Sequence, residues 1–161
     1  MNAIHTARIL LVDDHEVLRE GLKLLISNAR PEWEIVGEAT NGFEAIEQTQ
    51  QLNPDIILLD ISMPEMSGLE AAGRLRKLGV NCPILIFTTH ESVQLSDDAR
   101  EVGTQGVVLK AQAFRDLVRA IERLLLGGTF FDATNNGETR VEKSKPGPIY
   151  YLGLSPRGAT A

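Results

Sequence analysis

The chain has 161 residues, 43% of them hydrophobic and 24% charged, which predicts one globular domain with a short appendage. The formal net charge of -6 disfavours direct binding to nucleic acid, whose phosphates attract clustered lysine and arginine. The single cysteine, Cys82, excludes an internal disulfide, and no apolar run has the length of a membrane span or a secretion signal. We therefore expect a cytoplasmic protein with no membrane contact.

Apolar runs alternate with amphipathic stretches in an order typical of an α/β fold. The predicted strands, each a short and mostly apolar run, lie at 8–12, 33–38, 56–59, 83–87 and 106–109. The predicted helices, each with apolar residues at helical spacing, lie at 16–29, 43–53, 69–78, 92–102 and 114–125. Five βα units with short connections predict a doubly wound parallel five-stranded sheet with helices on both faces and the flavodoxin-like strand order 2-1-3-4-5.

The end of the chain has a different composition. Residues 129–161 are rich in Asn, Gly, Thr and Pro, and they contain a single apolar patch at 149–152. The pair Gly127-Gly128 is typical of the end of a helix. We therefore predict one domain at 6–128, followed by a flexible linker or tail at 129–161.

Polar side chains stand where four of the predicted strands end. They are Asp13 and Asp14 after strand 1, Asp60 after strand 3, Thr88 at the end of strand 4, and Lys110 after strand 5. In a sheet of order 2-1-3-4-5 these ends face one crevice, where open α/β sheets bind their ligands. Carboxylates about 4 Å apart repel by roughly 4 kcal/mol per pair at an effective dielectric of about 20, so the three acids need a cation. Oxygen ligands favour a hard divalent ion, and we expect Mg²⁺.

This set of groups is suited to phosphoryl transfer. Asp60 is predicted to attack phosphorus and form an aspartyl phosphate, while Lys110 and Mg²⁺ neutralise phosphoryl oxygens and Thr88 donates a hydrogen bond. Each residue alone also has an ordinary interpretation: Asp14 could cap helix 1, Thr88 could be a satisfied strand-end hydroxyl, and Lys110 could be solvated. Their combination at four strand ends favours the functional interpretation.

Several motifs give the sequence a family resemblance. They are D-D-H-E-V-L-R-E-G-L from Asp13, N-G-F-E-A-I from Asn41, D-I-I-L-L-D-I-S-M-P-E-M-S-G-L-E from Asp55, and V-V-L-K ending at Lys110. Over about residues 8–131 the chain resembles the CheY-like receiver domains of two-component response regulators, and it is most similar to those of the NarL/FixJ (LuxR-type) subfamily.

The resemblance implies a role for each residue of the constellation. These roles are phosphoacceptor for Asp60, metal ligands for Asp13, Asp14, Asp60 and the backbone carbonyl of Ser62, and phosphoryl contacts for Thr88 and Lys110. The implied donor is a phosphohistidine on a sensor histidine kinase, and the domain is expected to catalyse only its own phosphorylation and dephosphorylation. Phosphorylation is expected to switch contacts of helix 4, strand 5 and helix 5, or of helices 1 and 5, in a homodimer or with another partner, and so to control transcription.

Three positions differ from the family pattern. Ala111 replaces the proline that usually follows the lysine, which predicts a trans or strained peptide there. Val107 stands where many receivers have Tyr or Phe, so the response is expected to run through the loop after Thr88 and helix 4, or to be damped. His90, two residues after Thr88, is expected to set the lifetime of the phosphate together with Ser62.

The tail and the site each leave an alternative open. In this subfamily a helix-turn-helix output domain commonly follows and opens with a motif that L-S-P-R at 154–157 matches, so the chain is either cut short of that domain or carries a chance match. A stand-alone or pseudo-receiver that binds partners without phosphate is one alternative function. A haloacid-dehalogenase-type phosphatase is another, although such enzymes place a second Asp where this chain has Ser62.

Overall fold

In the computed structural model, which describes residues 6–89 and 92–131, five strands alternate with five helices. The strands are β1 (Ala7–Val12), β2 (Trp33–Ala39), β3 (Ile56–Asp60), β4 (Ile84–Thr88) and β5 (Gly106–Leu109). The helices are α1 (Glu16–Ala29), α2 (Gly42–Leu52), α3 (Gly68–Lys77), α4 (Val93–Glu101) and α5 (Ala113–Leu125), and a 3-10 turn at Lys110–Gln112 joins β5 to α5. Within these ranges no helix has the length and apolar character needed to cross a membrane.

All neighbouring strands are parallel, and the order β2-β1-β3-β4-β5 confirms the predicted topology. Every residue of β3 and β4 is buried, because the sheet is covered on both faces. Asp60 pairs with Phe87, and Thr88 pairs with Leu109. The carboxyl ends of the strands therefore meet at one edge of the sheet, as the sequence predicts.

The helices differ in how firmly they are packed. Six residues of α5 are buried, among them Leu117 and Ile121 of the predicted apolar stripe, whereas Phe114 of that stripe is 89% exposed. In α4 the only buried residue is Ala99, which agrees with the thin apolar stripe of its sequence. Since burial of apolar area is the main stabilising contribution, α4 is the helix held least firmly to the sheet.

The loop between β3 and α3 folds tightly back over the end of β3. The backbone N–H of Gly68 donates to the carbonyl of Ile61 at 2.9 Å, and Ser67 caps α3 by accepting from the backbone N–H of Glu70 at 3.1 Å. A Cβ atom at Gly68 would lie 2.1 Å from the carbonyl oxygen of Asp60. Only glycine allows this approach, so Gly68 fixes the backbone that carries Asp60.

The packed chain continues past residue 128, where the sequence analysis ends the domain. The backbone N–H of Phe130 donates to the carbonyl of Gln105 at 2.9 Å, and the carbonyl of Phe130 accepts from the N–H of Val107 at 2.7 Å. Phe130 is fully buried, and Phe131 is 6% exposed. Three residues of the predicted linker, up to Phe131, therefore lie against the edge of the sheet, because backbone hydrogen bonds to β5 and aromatic burial hold them there.

Some predictions concern particular peptides and side chains. The described residues contain no cis peptide bond, so the bond before Ala111 is trans. Val107 is fully buried within β5. His90 and residues 132–161, including the L-S-P-R motif at 154–157, lie outside the described residues.

The burial of Phe130 predicts that it stabilises the domain. Phe130→Ala should lower the free energy of unfolding by about 3–5 kcal/mol, since it leaves a cavity under β5. Leu126→Ala is the matched control, because Leu126 is 88% exposed and its truncation should change stability by less than about 0.5 kcal/mol. Urea denaturation followed by circular dichroism measures both values. Equal values for the two variants would mean that the segment after α5 is not packed.

The tight loop after β3 predicts opposite effects for two glycine-to-alanine changes. Gly68→Ala should destabilise the domain by about 1–3 kcal/mol, because its methyl group overlaps the backbone of Asp60. Gly73→Ala, within α3 and with no atom within 4 Å of the added methyl group, should stabilise it by about 0.5–1 kcal/mol. Urea midpoints of the two variants test the pair, and a Gly68→Ala protein as stable as Gly73→Ala would contradict the loop geometry.

Candidate functional site

Two buried carboxylates lie side by side at the carboxyl edge of the sheet. Asp60 is the last residue of β3 and Asp13 follows β1, and the pairing of Val12 with Leu59 brings the two strand ends together. Asp13 is 0% exposed and Asp60 is 1% exposed. Within the described part of the chain, the Oδ2 atom of each accepts no hydrogen bond. Such burial is unfavourable unless a cation lies close by.

Lys110 is the cation that the fold supplies. Its Nζ atom lies 2.9 Å from Oδ2 of Asp13 and 3.3 Å from Oδ2 of Asp60, at ion-pair distance but without the alignment of a hydrogen bond. The ammonium group also lies 5.8 Å from the centroid of the Phe87 ring. Phe87 belongs to β4, so Lys110 reaches across that strand from the edge of the sheet to its centre.

Asp60 is in an environment that opposes its negative charge. Burial raises the pKa of the Asp60 carboxyl above its ordinary value, and the charge of Asp13 raises it further. Lys110 and the backbone N–H of Ser62, which donates to Oδ1 of Asp60 at 3.3 Å, lower this pKa in part. The net direction is upward, and burial is its largest cause.

His15 joins the acidic cluster, which sequence reasoning did not predict. The backbone N–H of His15 donates to Oδ1 of Asp13 at 2.8 Å, and its Nδ1 lies 2.9 Å from the same oxygen. Nδ1 is also 3.3 Å from Oδ1 of Asp14. Asp13, Asp14, His15 and Asp60 each offer a ligand atom within 4.8 Å of the others. In the sequence, His15 is indicated only by its position directly after Asp14, because the direction of its ring depends on tertiary structure.

Arg19 is a second residue that the sequence analysis missed. Its Nη1 donates to the backbone carbonyl of Asp13 at 2.6 Å, and its Nε donates to Oε1 of Glu38 at 2.8 Å. Arg19 lies one helical turn after His15, so α1 places it close to the end of β1. It fixes the backbone of Asp13 without contacting the carboxylate.

The predicted site residues fall into two groups by what the structure shows of them. The side chains of Asp13, Asp14, Asp60 and Lys110 converge, as described above. Thr88 ends β4 at the same edge and is 6% exposed, and Ser62 is linked to Asp60 through its backbone N–H. The roles assigned to them in metal and phosphoryl binding stay predictions.

The donor set fits a divalent cation. Asp13 and Asp60 each present a buried oxygen without a hydrogen bond, and Asp14 adds a third carboxylate with its side chain 31% exposed. Carboxylate oxygens are the ligands preferred by Mg²⁺, and the partly open side gives room for the water that this ion retains. The residues present are therefore compatible with divalent metal binding.

Charged residues on the outer face of α5, a helix expected to change its contacts on phosphorylation, are largely paired within the domain. Asp116 is 0% exposed and binds Arg115 Nε at 3.0 Å and Arg119 Nη2 at 3.2 Å. Glu122 forms an ion pair with Arg30, which follows α1. Arg119 and a further arginine of α5, Arg123, also hold the helix to the rest of the domain, because they lie over the ring of Phe130 at 5.5 and 5.7 Å.

Comparison with known proteins identifies the family. The response regulator receiver domain family matches residues 9–122. Transcriptional regulatory protein YdfI of Bacillus subtilis (strain 168) is 42% identical over 120 residues, which are 74% of this chain and 55% of the relative. The nitrate/nitrite response regulator protein NarL of Escherichia coli (strain K12) is 41% identical over 121 residues, which are 75% of this chain and 56% of NarL. The chain thus spans about half the length of these curated relatives.

Solved structures show the same similarity. A two-component response regulator of the LuxR family from Aurantimonas sp. SI85-9A1 is 39% identical, with a TM-score of 0.75 over 78% of this chain and 89% of that one. The receiver domain of the putative response regulator NarL from Mycobacterium tuberculosis is 29% identical, with a TM-score of 0.72 over 76% of this chain and 98% of that one. Together with the strand order and the acidic edge, these matches show that the chain belongs to the receiver domains of two-component response regulators, of the NarL/LuxR type.

Proposed function

We propose that this domain accepts a phosphoryl group from a phosphohistidine of a sensor histidine kinase onto Asp60, in the cytoplasm. The observation that supports this most directly is the placement of Asp60. Its buried Oδ2 accepts no hydrogen bond within the described chain and lies 3.3 Å from Lys110 Nζ. An oxygen without a hydrogen bond keeps a lone pair for attack, and the ammonium beside it can receive the charge that arrives.

The reaction exchanges one bond for another. Oδ2 of Asp60 forms a bond to phosphorus as the bond between phosphorus and the donor imidazole nitrogen breaks, and that imidazole keeps the electron pair and takes a proton from water. Lys110 follows the phosphoryl oxygens, and Thr88 donates its hydroxyl hydrogen to one of them. Mg²⁺ held by Asp13, Asp14, Asp60 and the carbonyl of Ser62 would supply positive charge to the same oxygens.

The consequence of phosphorylation is a new balance of charge at the sheet edge. The phosphoryl group brings up to about two negative charges, so Lys110 gains a stronger partner than Asp13. The loop after Thr88 then adjusts to the phosphoryl oxygens, and α4, which buries only Ala99, is the neighbouring helix that moves most easily. Changed contacts on this side of the domain would control a homodimer or another partner.

The output follows from the relatives. YdfI is named a transcriptional regulatory protein and NarL a nitrate/nitrite response regulator protein. We infer that this domain likewise serves transcriptional control, through protein contacts rather than by binding nucleic acid itself. Its chemistry is confined to its own phosphorylation and dephosphorylation, so it is not an enzyme acting on other substrates.

The raised pKa of Asp60 predicts how its replacement changes stability. A carboxyl whose pKa is higher in the folded than in the unfolded state loses stability as pH rises from the unfolded value of about 3.9 through the folded value. Without metal at pH 7, Asp60→Asn should therefore melt a few degrees above the wild type, and the difference should shrink as pH falls towards 4. Thermal melts by circular dichroism at several pH values test this. Asp97→Asn, a change of an exposed carboxylate, is the control and should show no such gap.

Phosphorylation itself is tested by mass spectrometry with Mg²⁺ and acetyl phosphate or a phosphorylated histidine kinase. The wild type and Asp97→Asn should gain one phosphoryl group, and Asp60→Asn should gain none. Lys110→Ala should slow the reaction roughly 10²-fold or more, because it removes the charge that stabilises the transition state.

Two results would contradict the proposal. One is the absence of a mass gain in the wild type with every donor, which would favour a pseudo-receiver. The other is sustained hydrolysis of free phosphate esters, which would favour a phosphatase.

A further inference from the structure

The acidic cluster contains a nitrogen atom that the proposed reaction does not use. His15 Nδ1 lies 2.9 Å from Oδ1 of Asp13 and 3.3 Å from Oδ1 of Asp14, at the exposed side of the buried acids. We propose that His15 is a metal ligand, so that this site also binds a nitrogen-preferring transition metal ion such as Co²⁺, Ni²⁺ or Zn²⁺. The inference rests on the metal role proposed above for the carboxylates.

The spacing of the ligand atoms supports one shared ion. Metal–nitrogen and metal–oxygen bonds of about 2.1 Å place neighbouring ligand atoms about 3.0 Å apart around an octahedral ion and about 3.4 Å apart around a tetrahedral one. Both distances from His15 Nδ1, 2.9 and 3.3 Å, lie close to these values. The atoms of the four residues lie within 4.8 Å of one another, so the widest pair has to close by roughly half an ångström to span an octahedral ion.

The two oxygens of Asp13 face different cations. Oδ1 faces His15, whereas Oδ2 lies 2.9 Å from Lys110 Nζ. An ion on the Oδ1 side can therefore bind without displacing Lys110. Oδ2 of Asp60 is buried and accepts no hydrogen bond within the described chain, with Lys110 Nζ 3.3 Å away, so this acid keeps capacity for a cation.

His15 is held in place by its backbone, and its ring has room to adjust. The backbone N–H donates to Oδ1 of Asp13 at 2.8 Å, while the side chain is 63% exposed. Since a carboxylate only accepts hydrogen bonds, Nδ1 carries the hydrogen in the contact with Asp13. An incoming metal would take Nδ1, and that hydrogen would move to the other ring nitrogen, which leaves the imidazole neutral.

The chemistry of the ligands predicts a selective effect. Imidazole nitrogen favours Co²⁺, Ni²⁺ and Zn²⁺, whereas Mg²⁺ prefers carboxylate, carbonyl and water oxygens. His15 should therefore strengthen binding of the transition metals and contribute little to binding of Mg²⁺. A transition metal bound through His15 would then compete with Mg²⁺ for the same carboxylates.

The test compares His15 with glutamine at the same position, since a glutamine amide can also donate to Asp13 but is a poor metal ligand. Both proteins carry His5→Gln and His90→Gln, so that His15 is the only imidazole in the reference protein. Co²⁺ is titrated with visible absorption and calorimetry as readouts, and Mg²⁺ is titrated by calorimetry. His15→Gln should weaken Co²⁺ binding at least about tenfold and shift the visible spectrum, while Mg²⁺ affinity should change less than about twofold.

Each other outcome overturns a stated part of the proposal. Equal Co²⁺ affinity and equal spectra in the two proteins would remove His15 from the ligand set. A loss of Mg²⁺ affinity as large as that of Co²⁺ would show that His15 shapes the carboxylates rather than binding metal. Asp60→Asn in the same background should weaken both ions, and failure to do so would move the site away from the acids. Phosphorylation by acetyl phosphate with Mg²⁺ is measured on the same proteins, so the proposed function is tested separately.

Discussion

One electrostatic constraint governs this structure: two buried carboxylates, Asp13 and Asp60, share the ends of the central strands. Two carboxylates about 4 Å apart repel by roughly 4 kcal/mol at an effective dielectric of about 20, which is a large part of the stability of about 5–15 kcal/mol that a domain of this kind has. The apolar strands β1 and β3 hold the acids together, and Lys110 offsets the repulsion in part. Burial, and after it the charge of Asp13, raises the pKa of Asp60 above its ordinary value despite Lys110. The site therefore favours any reaction or ligand that brings positive charge or removes the charge of Asp60.

Lys110 links the two buried acids to the edge of the sheet. It lies after the edge strand β5, yet its Nζ reaches acids at the ends of β3 and β1. Phe130 in turn holds β5 through two backbone hydrogen bonds. Its N–H donates to the carbonyl of Gln105, and its carbonyl accepts from the N–H of Val107. A change in the charge of Asp60 would therefore act directly on Lys110, the residue that joins β5 to the turn into α5.

The sequence predicts the fold and most of the acidic site for a geometric reason. Strands of one parallel sheet end at a common edge, so the position of Asp60 or Lys110 along the chain already indicates where it lies in space. The missed features depend on contacts that sequence periodicity does not encode. Phe130 lies shortly after Gly127-Gly128, in a segment that the sequence predicts to be linker, although backbone hydrogen bonds to Gln105 and Val107 hold it at the sheet. Asp116 interrupts the apolar face of α5, and its burial depends on arginines from the same helix.

Val107 is buried in β5 at a position where many receivers have an aromatic residue, and valine has no ring that could turn. The carboxyl end of α4 is tied to the domain, since the Thr104 hydroxyl donates to the carbonyl of Ala99 at 2.9 Å and the Arg100 guanidinium lies 4.3 Å from the Phe131 ring centroid. The amino end begins at Val93, which is 80% exposed. The amino end of α4 is the end nearer in sequence to Thr88, and Ser92 caps it by accepting from the backbone N–H of Leu95 at 3.0 Å. Under the proposed function, a shift after Thr88 would reach α4 at this end, a route for the response that needs no aromatic switch.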